Sequence, residues 1–264
     1  MSDLKGKRIV ITGASSGIGE ALAYALAERG AQLVLASRNE TELRRVQNNC
    51  QRSADHHIKV MDLANLSSLE GELEEIWNDF GPIDILVNNA GISHRYRAQE
   101  ASLEIDQKIM AINFFGTIAL TKPTLKRMLD RSCGQIVCVS SLVGLLGVKN
   151  RTIYSASKHA LRGYFESLRH ELHQSPIKIT MVYPGYIDTN MPQNALLKSG
   201  LPNALQEKTH LDGMKAEDCA SQIVKAIEKE LPEIIVARPL ERAAVFVSQH
   251  LPGLFRWLFP RLYR

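Results

Sequence analysis

Short apolar segments alternate with longer amphipathic segments along most of the chain. RIVITG precedes an amphipathic stretch at residues 17–29, and QLVLAS precedes another at residues 40–52. IKVMDL, IDILVNNAG, QIVCVSS and KITMVYPG continue the series, and a helical pattern follows each of the first three. Near-continuous Val, Ile and Leu strands that alternate with helices are typical of a parallel sheet covered on both faces. The pattern predicts a doubly wound α/β fold.

The alternation stops after Gly185. A polar stretch with several Pro and Gly residues, residues 186–212, precedes a last helical pattern and a last strand pattern, EIIVARP. A long insertion in a compact domain usually covers a site, although a disordered loop has the same composition. We therefore predict one domain over residues 1–240 with a substrate loop at 186–212, followed by an apolar and basic tail at 241–264.

Composition narrows the class of protein. The chain has 264 residues, of which 45% are hydrophobic, and this suits one large domain better than two small ones. The net charge of +4 is small and its only dense basic cluster is in the tail, so nucleic acid is not an expected partner. The four cysteines are widely spaced without a CxxC pair, which predicts neither disulfides nor a thiolate metal site and favours the cytosol. We expect neither a signal peptide nor a membrane-spanning helix.

A glycine-rich turn, TGASSGIG, joins the first strand to the first helix. Glycines allow a sharp turn and a close backbone approach, and the N-terminus of the next helix can hold a pyrophosphate. The spacing G-x-x-x-G-x-G differs from both the G-x-G-x-x-G and the Walker patterns, and a glycine turn alone is weak evidence. The predicted phosphate cradle consists of Gly13, Ser15, Ser16, Gly17, Ile18 and Gly19.

The end of the second strand bears on the choice of cofactor. Folds that bind NAD often carry an acidic residue there for the ribose hydroxyls, whereas this chain has Ser37 and Arg38. A guanidinium suits the 2′-phosphate of NADP(H). The alternative is that Arg38 is a solvated residue of the first helical turn.

Five motifs in a fixed order carry a family resemblance: TGASSGIG, NNAG at residues 88–91, the pair Ser140–Ser141, YSASK at residues 154–158, and Pro184–Gly185. Over residues 6–240 the chain resembles the short-chain dehydrogenase/reductase family. The resemblance implies a single-domain Rossmann fold with a seven-stranded sheet. It also implies homodimers or homotetramers built from the helices around residues 102–130 and 152–174.

The resemblance also implies which residues contact the cofactor outside the glycine turn. An acidic residue after the third strand meets the adenine in this family, and Asp62 matches it. The remaining positions are Leu63, Asn89, Ala90, Gly91, Tyr154, Lys158, Pro184, Gly185, Ile187 and Thr189.

The family's catalytic tetrad corresponds to Asn113, Ser141, Tyr154 and Lys158. A free tyrosine has a pKa of about 10, so it exchanges protons poorly near neutral pH. Lys158 lies one helical turn from Tyr154, and its ammonium and the oxidised nicotinamide would both favour the phenolate. Tyr154 would then act as general acid/base, with Ser141 bonded to the substrate oxygen.

In the family, the residue matching Asn113 interrupts its helix and holds a water that links the lysine to solvent. From the residues alone, Asn113 is as well explained by a helix kink and Ser141 by a strand-end turn. The segment before YSASK, GLLGVKNRTIY, lacks the proline of many relatives, which affects the substrate wall more than the chemistry.

Other polar groups are less informative. HELH at residues 170–173 lacks the spacing of the HExxH zinc motif, and Asp55-His56-His57 has no further ligands nearby, so no metal site is predicted. His94 and Tyr96 follow NNAG directly, and they either touch the substrate or lie in a solvated loop.

The tail, LPGLFRWLFPRLYR, interleaves aromatic and aliphatic residues with arginine. From residue 240 onward, Arg242, Arg256, Arg261 and Arg264 stand against Glu241 alone. Such a segment suits peripheral contact with a membrane interface, or packing on a partner subunit or over the substrate pocket. Prolines at 252 and 260 predict that any helix here is a short piece. In either case the tail points to a lipophilic substrate.

These observations predict an NADP(H)-dependent oxidoreductase that interconverts a ketone or aldehyde and an alcohol on a small lipophilic molecule. The alternative is a non-catalytic NADP(H)-binding regulatory or membrane-interface protein on the same fold. Sugar-nucleotide epimerases share the YxxxK pair but usually have a larger C-terminal domain than residues 186–264 can form.

Overall fold

Nine strands and the helices between them are defined over residues 3–189 and 213–262, the part of the chain that the computed structural model describes. The strands are β1 (Arg8–Thr12), β2 (Gln32–Ser37), β3 (His57–Val60), β4 (Ile85–Asn88), β5 (Gln135–Val139), β6 (Lys178–Pro184), β7 (Ile187–Asp188), β8 (Met214–Lys215) and β9 (Glu233–Val236). The α-helices are α1 (Gly17–Ala27), α2 (Glu40–Asn49), α3 (Leu69–Phe80), α4 (Leu103–Met110), α5 (Thr117–Asp130), α6 (Thr152–Glu171), α7 (Ala216–Glu228), α8 (Pro239–His250) and α9 (Pro252–Leu262).

Seven of the strands form one sheet in the order β3-β2-β1-β4-β5-β6-β9, and every neighbouring pair is parallel. The predicted doubly wound, seven-stranded fold is confirmed. The strand order reverses between β1 and β4, and ligands of such sheets bind at the carboxyl ends of the strands beside this reversal. The glycine turn follows β1 and the NNAG turn follows β4, so both lie at that position.

Two apolar layers flank the sheet because successive side chains of a strand point to opposite faces. In β1, Ile9 and Ile11 pack into the layer that contains α1 and α7, whereas Val10 packs into the layer that contains α3 and α6. All three side chains are fully buried. The near-continuous apolar pattern of the strands therefore follows from burial on both faces.

The long helical segment predicted over residues 102–130 is divided. A π-helical turn, Ala111–Gly116, separates α4 from α5. Single π-helical turns inside α-helices are frequent at functional sites. The turn lies close to the end of β3, because a Cβ on Gly116 would be 2.7 Å from the carbonyl oxygen of Leu63. Asn113 occupies the middle of this turn.

The predicted tail contains most of α8 and all of α9, and the predicted boundary at residue 240 falls at the start of α8. Pro252 occupies the first position of α9, where its missing N–H leaves no helical bond unmade. α9 is 11 residues long and ends at Leu262, so the tail helix is short as expected, with Pro260 in its last turn. Among the residues described, no helix combines the length and apolarity needed to cross a membrane.

Two parts of the sequence predictions fall outside the described residues. One is residues 190–212, which make up most of the predicted substrate loop. The other is the end of the tail, Tyr263 and Arg264.

Candidate active site

The glycine-rich turn leaves room for a ligand at the start of α1. Gly13 and Gly17 adopt positive φ angles of 67° and 59°, which side chains disfavour. A Cβ on Gly13 would lie 2.8 Å from the Cα of Ala90, and one on Gly17 would lie 3.1 Å from Cγ2 of Thr189. Ser16 makes no side-chain cap to α1, so the protein does not cap the first N–H groups through that residue. These features fit the pyrophosphate of a dinucleotide.

Thr12 connects the glycine turn to the NNAG turn through hydrogen bonds. Its Oγ1 accepts hydrogen bonds from the backbone N–H groups of Asn89 and Ala90, each at 3.0 Å. The side-chain amide of Asn89 donates to the carbonyl oxygen of Thr12 at 3.0 Å. The sequence prediction included Asn89 and Ala90 but missed Thr12, whose only signal was its place at the head of TGASSGIG.

The predicted adenosine-side residues lie at the same edge of the sheet. Arg38 follows β2 and Asp62 follows β3, and these two strands are parallel neighbours. Arg38 is exposed and forms no ion pair within the described residues, so its guanidinium is accessible to a phosphate. One carboxylate oxygen of Asp62 accepts the N–H of Ala64 at 3.0 Å, which fixes the turn after β3.

Tyr154 and Lys158 lie on one face of α6 and are both buried, Lys158 to 3% exposure. The Lys158 Nζ lies 5.8 Å from the centroid of the Tyr154 ring. It donates a hydrogen bond to the carbonyl oxygen of Val139, the last residue of β5, at 3.0 Å. A buried ammonium needs such partners. The contact anchors α6 to the carboxyl end of β5.

Asn113 is fixed by three hydrogen bonds. Its Oδ1 accepts the N–H of Ile92 at 2.8 Å, and its Nδ2 donates to the Ile92 carbonyl oxygen at 2.9 Å and to Oγ of Ser157 at 3.0 Å. A Cβ on Gly91 would lie 3.3 Å from Oδ1 of Asn113 and 3.4 Å from Nζ of Lys158. The NNAG turn thus brings Asn113 and Lys158 together. Ser157 was not predicted, although it lies inside YSASK.

Ser141 follows β5 directly and has an extended backbone. Its Oγ accepts the N–H of Val143 at 3.4 Å and donates to the carbonyl oxygen of Pro184 at 3.5 Å. The neighbouring Ser140 donates its hydroxyl to the carbonyl oxygen of Lys158 at 3.1 Å. Both serines therefore join the end of β5 to predicted site elements, Ser141 to the Pro184–Gly185 turn and Ser140 to α6.

Comparison with known proteins identifies the family of this chain. The family model described as short chain dehydrogenase matches residues 7–199. The chain belongs to the short-chain dehydrogenase/reductase family. The "Dehydrogenase/reductase SDR family protein 7-like" of Anopheles gambiae is 38% identical over 98% of this chain and 83% of its own length. "Dehydrogenase/reductase SDR family member 7B" of Mus musculus is 35% identical over 96% of this chain and 80% of its own.

A solved structure of another short-chain dehydrogenase/reductase, from Burkholderia phymatum in complex with NAD, is 26% identical to this chain. It superposes with a TM-score of 0.85 and covers 96% of each chain. The close superposition over nearly the whole length identifies this chain as a single unit of the family fold.

In this short-chain dehydrogenase/reductase His94 and Tyr96 of the loop after NNAG are buried, and the solvated-loop interpretation of these two residues was wrong. The two rings lie 4.1 Å apart, and the Tyr96 hydroxyl donates to Oδ1 of Asp106 at 2.9 Å. Arg151 Nη1 donates to the carbonyl oxygen of His94 at 2.6 Å and to Oγ of Ser93. Arg151 is three residues before Tyr154, so it holds the loop against the start of α6. No local pattern indicates this role of Arg151, because its partners Ser93 and His94 lie more than 50 residues away in the chain.

His94 is a neutral imidazole at physiological pH. Both ring nitrogens are buried without a hydrogen-bond partner in the described residues. Burial, with the nearby charge of Arg151, lowers the pKa of His94 from its ordinary 6.5 to about 4. The unfolded chain therefore binds a proton at His94 at a higher pH than the folded protein does.

This difference predicts a dependence of stability on pH. The contribution of neutral His94 to the free energy of unfolding is complete above pH 6.5. It is lost as the pH falls to about 4, which lowers the free energy of unfolding by up to about 3 kcal/mol. In the His94→Leu variant that loss is absent, while the stability at pH 7.5 stays within about 1 kcal/mol because two unpaired nitrogens are removed. Urea unfolding of both proteins from pH 7.5 to pH 4.5 measures the difference. Parallel pH curves would contradict the assignment.

Proposed function

We propose that this short-chain dehydrogenase/reductase is an NADP(H)-dependent oxidoreductase that interconverts a ketone or aldehyde and an alcohol, with Tyr154 as general acid/base. The observation that carries the proposal is the burial of Tyr154 and Lys158 on one face of α6, with the Lys158 ammonium beside the NNAG turn and bonded to the end of β5. This position is at the carboxyl edge of the sheet, next to the glycine turn.

Each side chain has a distinct task in ketone reduction. The dinucleotide, when bound, supplies the hydride. Tyr154 donates a proton to the carbonyl oxygen, and the hydroxyl of Ser141 hydrogen-bonds the same oxygen and stabilises the charge that develops there. Lys158 has three N–H donors, one of which bonds the carbonyl oxygen of Val139, so the other two can bind ribose hydroxyls of the dinucleotide. Asn113 positions Ile92 and Ser157 around this group.

The preference for NADP(H) over NAD(H) rests on Arg38. The Burkholderia phymatum relative was solved with NAD, so membership of the family leaves the choice open. An exposed guanidinium at the end of β2 supports the 2′-phosphate form, because arginine binds phosphate with paired, charge-assisted hydrogen bonds.

The proposal is tested by following the consumption of reduced nicotinamide with a panel of lipophilic ketones and aldehydes, using NADPH and NADH in parallel. We expect turnover with at least one carbonyl compound and a preference for NADPH. Tight NADPH binding without turnover across a broad panel would instead support a non-catalytic binding protein.

Replacing Arg38 by Ala is expected to raise the KM for NADPH by about 10–100-fold and to leave the KM for NADH nearly unchanged. The loss corresponds to about 1.5–3 kcal/mol for a hydrogen bond to a charged group. Arg44→Ala is a matched control, since Arg44 is an exposed arginine on α2 that pairs with Glu40. Equal losses for both cofactors in the Arg38 variant would show that Arg38 does not contact a 2′-phosphate.

A further inference from the structure

The two C-terminal helices expose an unusual amount of apolar surface. Six of the eleven large apolar side chains that are exposed in the described part of the chain belong to α8, α9 or the link between them. They are Leu240, Phe246, Leu251, Leu254, Trp257 and Leu258. Leu240 is 83% exposed and Trp257 is 58% exposed. We name these six side chains the outer C-terminal surface.

The opposite side of the same helices already provides their attachment to the protein. Val245 of α8 is buried in the core, and Phe255 and Phe259 of α9 pack against the same layer with their rings stacked at 4.4 Å. Leu254, Trp257 and Leu258 recur at the i, i+3, i+4 spacing of a second helix face. The inner face therefore attaches α9 to the domain, while the outer face is exposed to solvent. Large apolar side chains that recur on one exposed helix face are a feature of interaction sites.

Charge indicates which partner fits the outer C-terminal surface. Glu241 is the only acidic residue between positions 239 and 264. Its carboxylate faces the domain, where it accepts the N–H groups of Tyr186 and Arg238, each at 2.9 Å. Arg242 and Arg256 are exposed. The charge presented to solvent by the described part of these helices is therefore positive.

Tryptophan and leucine beside arginine, without a free carboxylate, match the hydrocarbon boundary and the anionic headgroups of a lipid bilayer. A second copy of this chain is a poorer partner, because face-to-face pairing of the same surface would place arginines against arginines. A bilayer needs no matching shape, which suits side chains exposed on two helices and their link.

We propose that the outer C-terminal surface docks this protein on an anionic lipid bilayer, with α8 and α9 lying in the interface. Glu241 joins the first turn of α8 to the backbone of Tyr186, next to the Pro184–Gly185 turn at the active-site edge. A Cβ on Gly185 would lie 2.9 Å from that of Ala237, so the two segments are in close contact. Docking therefore sets the active-site edge beside the membrane. This position indicates carbonyl compounds dissolved in the bilayer as the substrate class, an inference that rests on the proposed function.

Vesicle co-sedimentation of the full chain tests the docking without any turnover. Vesicles of phosphatidylcholine alone are compared with vesicles that also contain phosphatidylserine. We expect the wild type to bind the anionic vesicles. The Leu254→Ser/Trp257→Ser variant should bind them at least about tenfold more weakly than the wild type. The Arg242→Gln/Arg256→Gln variant should bind anionic vesicles about fivefold more weakly for each arginine removed. Its affinity for vesicles of phosphatidylcholine alone should not change. Leu103→Ser is the matched control, since Leu103 is 67% exposed on α4 and should bind like the wild type.

Two results would overturn the docking proposal. One is wild-type binding by the Leu254→Ser/Trp257→Ser variant. The other is a concentration-dependent self-association that this variant abolishes while neither protein binds vesicles, which would assign the surface to a second copy of the chain. Turnover of a water-soluble ketone is also measured for the wild type and for the Leu254→Ser/Trp257→Ser variant. This measurement distinguishes a failure of docking from a failure of the proposed catalysis. Equal turnover with unequal vesicle binding supports docking, and vesicle binding without turnover leaves docking intact while the catalytic proposal fails.

Discussion

The Tyr154→Phe variant is expected to lose about 10²–10⁴-fold in kcat/KM while its Kd for NADPH stays close to that of the wild type. The phenyl ring keeps the packing of the buried tyrosine, and the substitution removes the hydroxyl group that exchanges a proton with the substrate oxygen. Lys158→Met should weaken both turnover and NADPH binding, because the ammonium lies beside the Tyr154 ring and has N–H donors for the ribose hydroxyls. Steady-state rates and NADPH titration by fluorescence measure the two effects.

Tyr164→Phe provides the matched control for this experiment. Tyr164 is a second, half-buried tyrosine of α6, where it packs against Phe114 and Phe165. Its variant should turn over at the wild-type rate. If Tyr154→Phe also kept the wild-type rate, Tyr154 would not be the general acid/base and the proton would have to come from another group.

Gly19→Ala is expected to raise the Kd for NADPH by about 100-fold and to lower the free energy of unfolding by about 1–3 kcal/mol. A Cβ at this position would overlap the carbonyl oxygen of Gly13 and lie 2.6 Å from the side-chain nitrogen of Asn89. Either the glycine turn or the NNAG turn must move, and both are predicted to contact the cofactor. NADPH titration and urea unfolding of the variant measure the two losses.

Gly163 offers the control for the effect of an added methyl group. It is also a helical glycine, in α6, but a Cβ there would meet nothing within 4 Å. Gly163→Ala should leave NADPH binding unchanged and stabilise the protein by up to about 1 kcal/mol, as alanine does in helices. Equal NADPH affinity in both variants would contradict the predicted role of the glycine turn.

The sequence was most informative where one local pattern carries both the fold and the chemistry. The apolar strands predicted a parallel sheet because burial on both faces requires Val, Ile and Leu at successive positions, as at Ile9, Val10 and Ile11. The glycine turn and YSASK could be found because their spacing follows from one turn and one helix. The family resemblance then supplied Asn113 and Ser141, which local reasoning alone could not distinguish from a kink and a turn residue.

Contacts between distant segments could not be predicted in the same way. Arg151 looked like an ordinary surface arginine, yet it is bonded to Ser93 and His94, and His94 is buried without a partner. Thr12 and Ser157 stand within predicted motifs, but their partners lie on other strands and helices. α9 includes Pro260 although proline is a poor helix former, and Phe255 and Phe259 of the same helix pack on the core.

The interior position of β1 in the sheet also affects how the protein is made. One edge of β1 pairs with β2, which follows within 30 residues, but its other edge pairs with β4, where Ile9 lies opposite Ile85. On the ribosome, a nascent chain therefore carries an apolar strand with an open edge until β4 has emerged. Open apolar edges recruit other chains. Residues 1–84 therefore form a nascent segment with this edge uncovered, and each of β5, β6 and β9 later covers the open edge of the strand before it in the sheet.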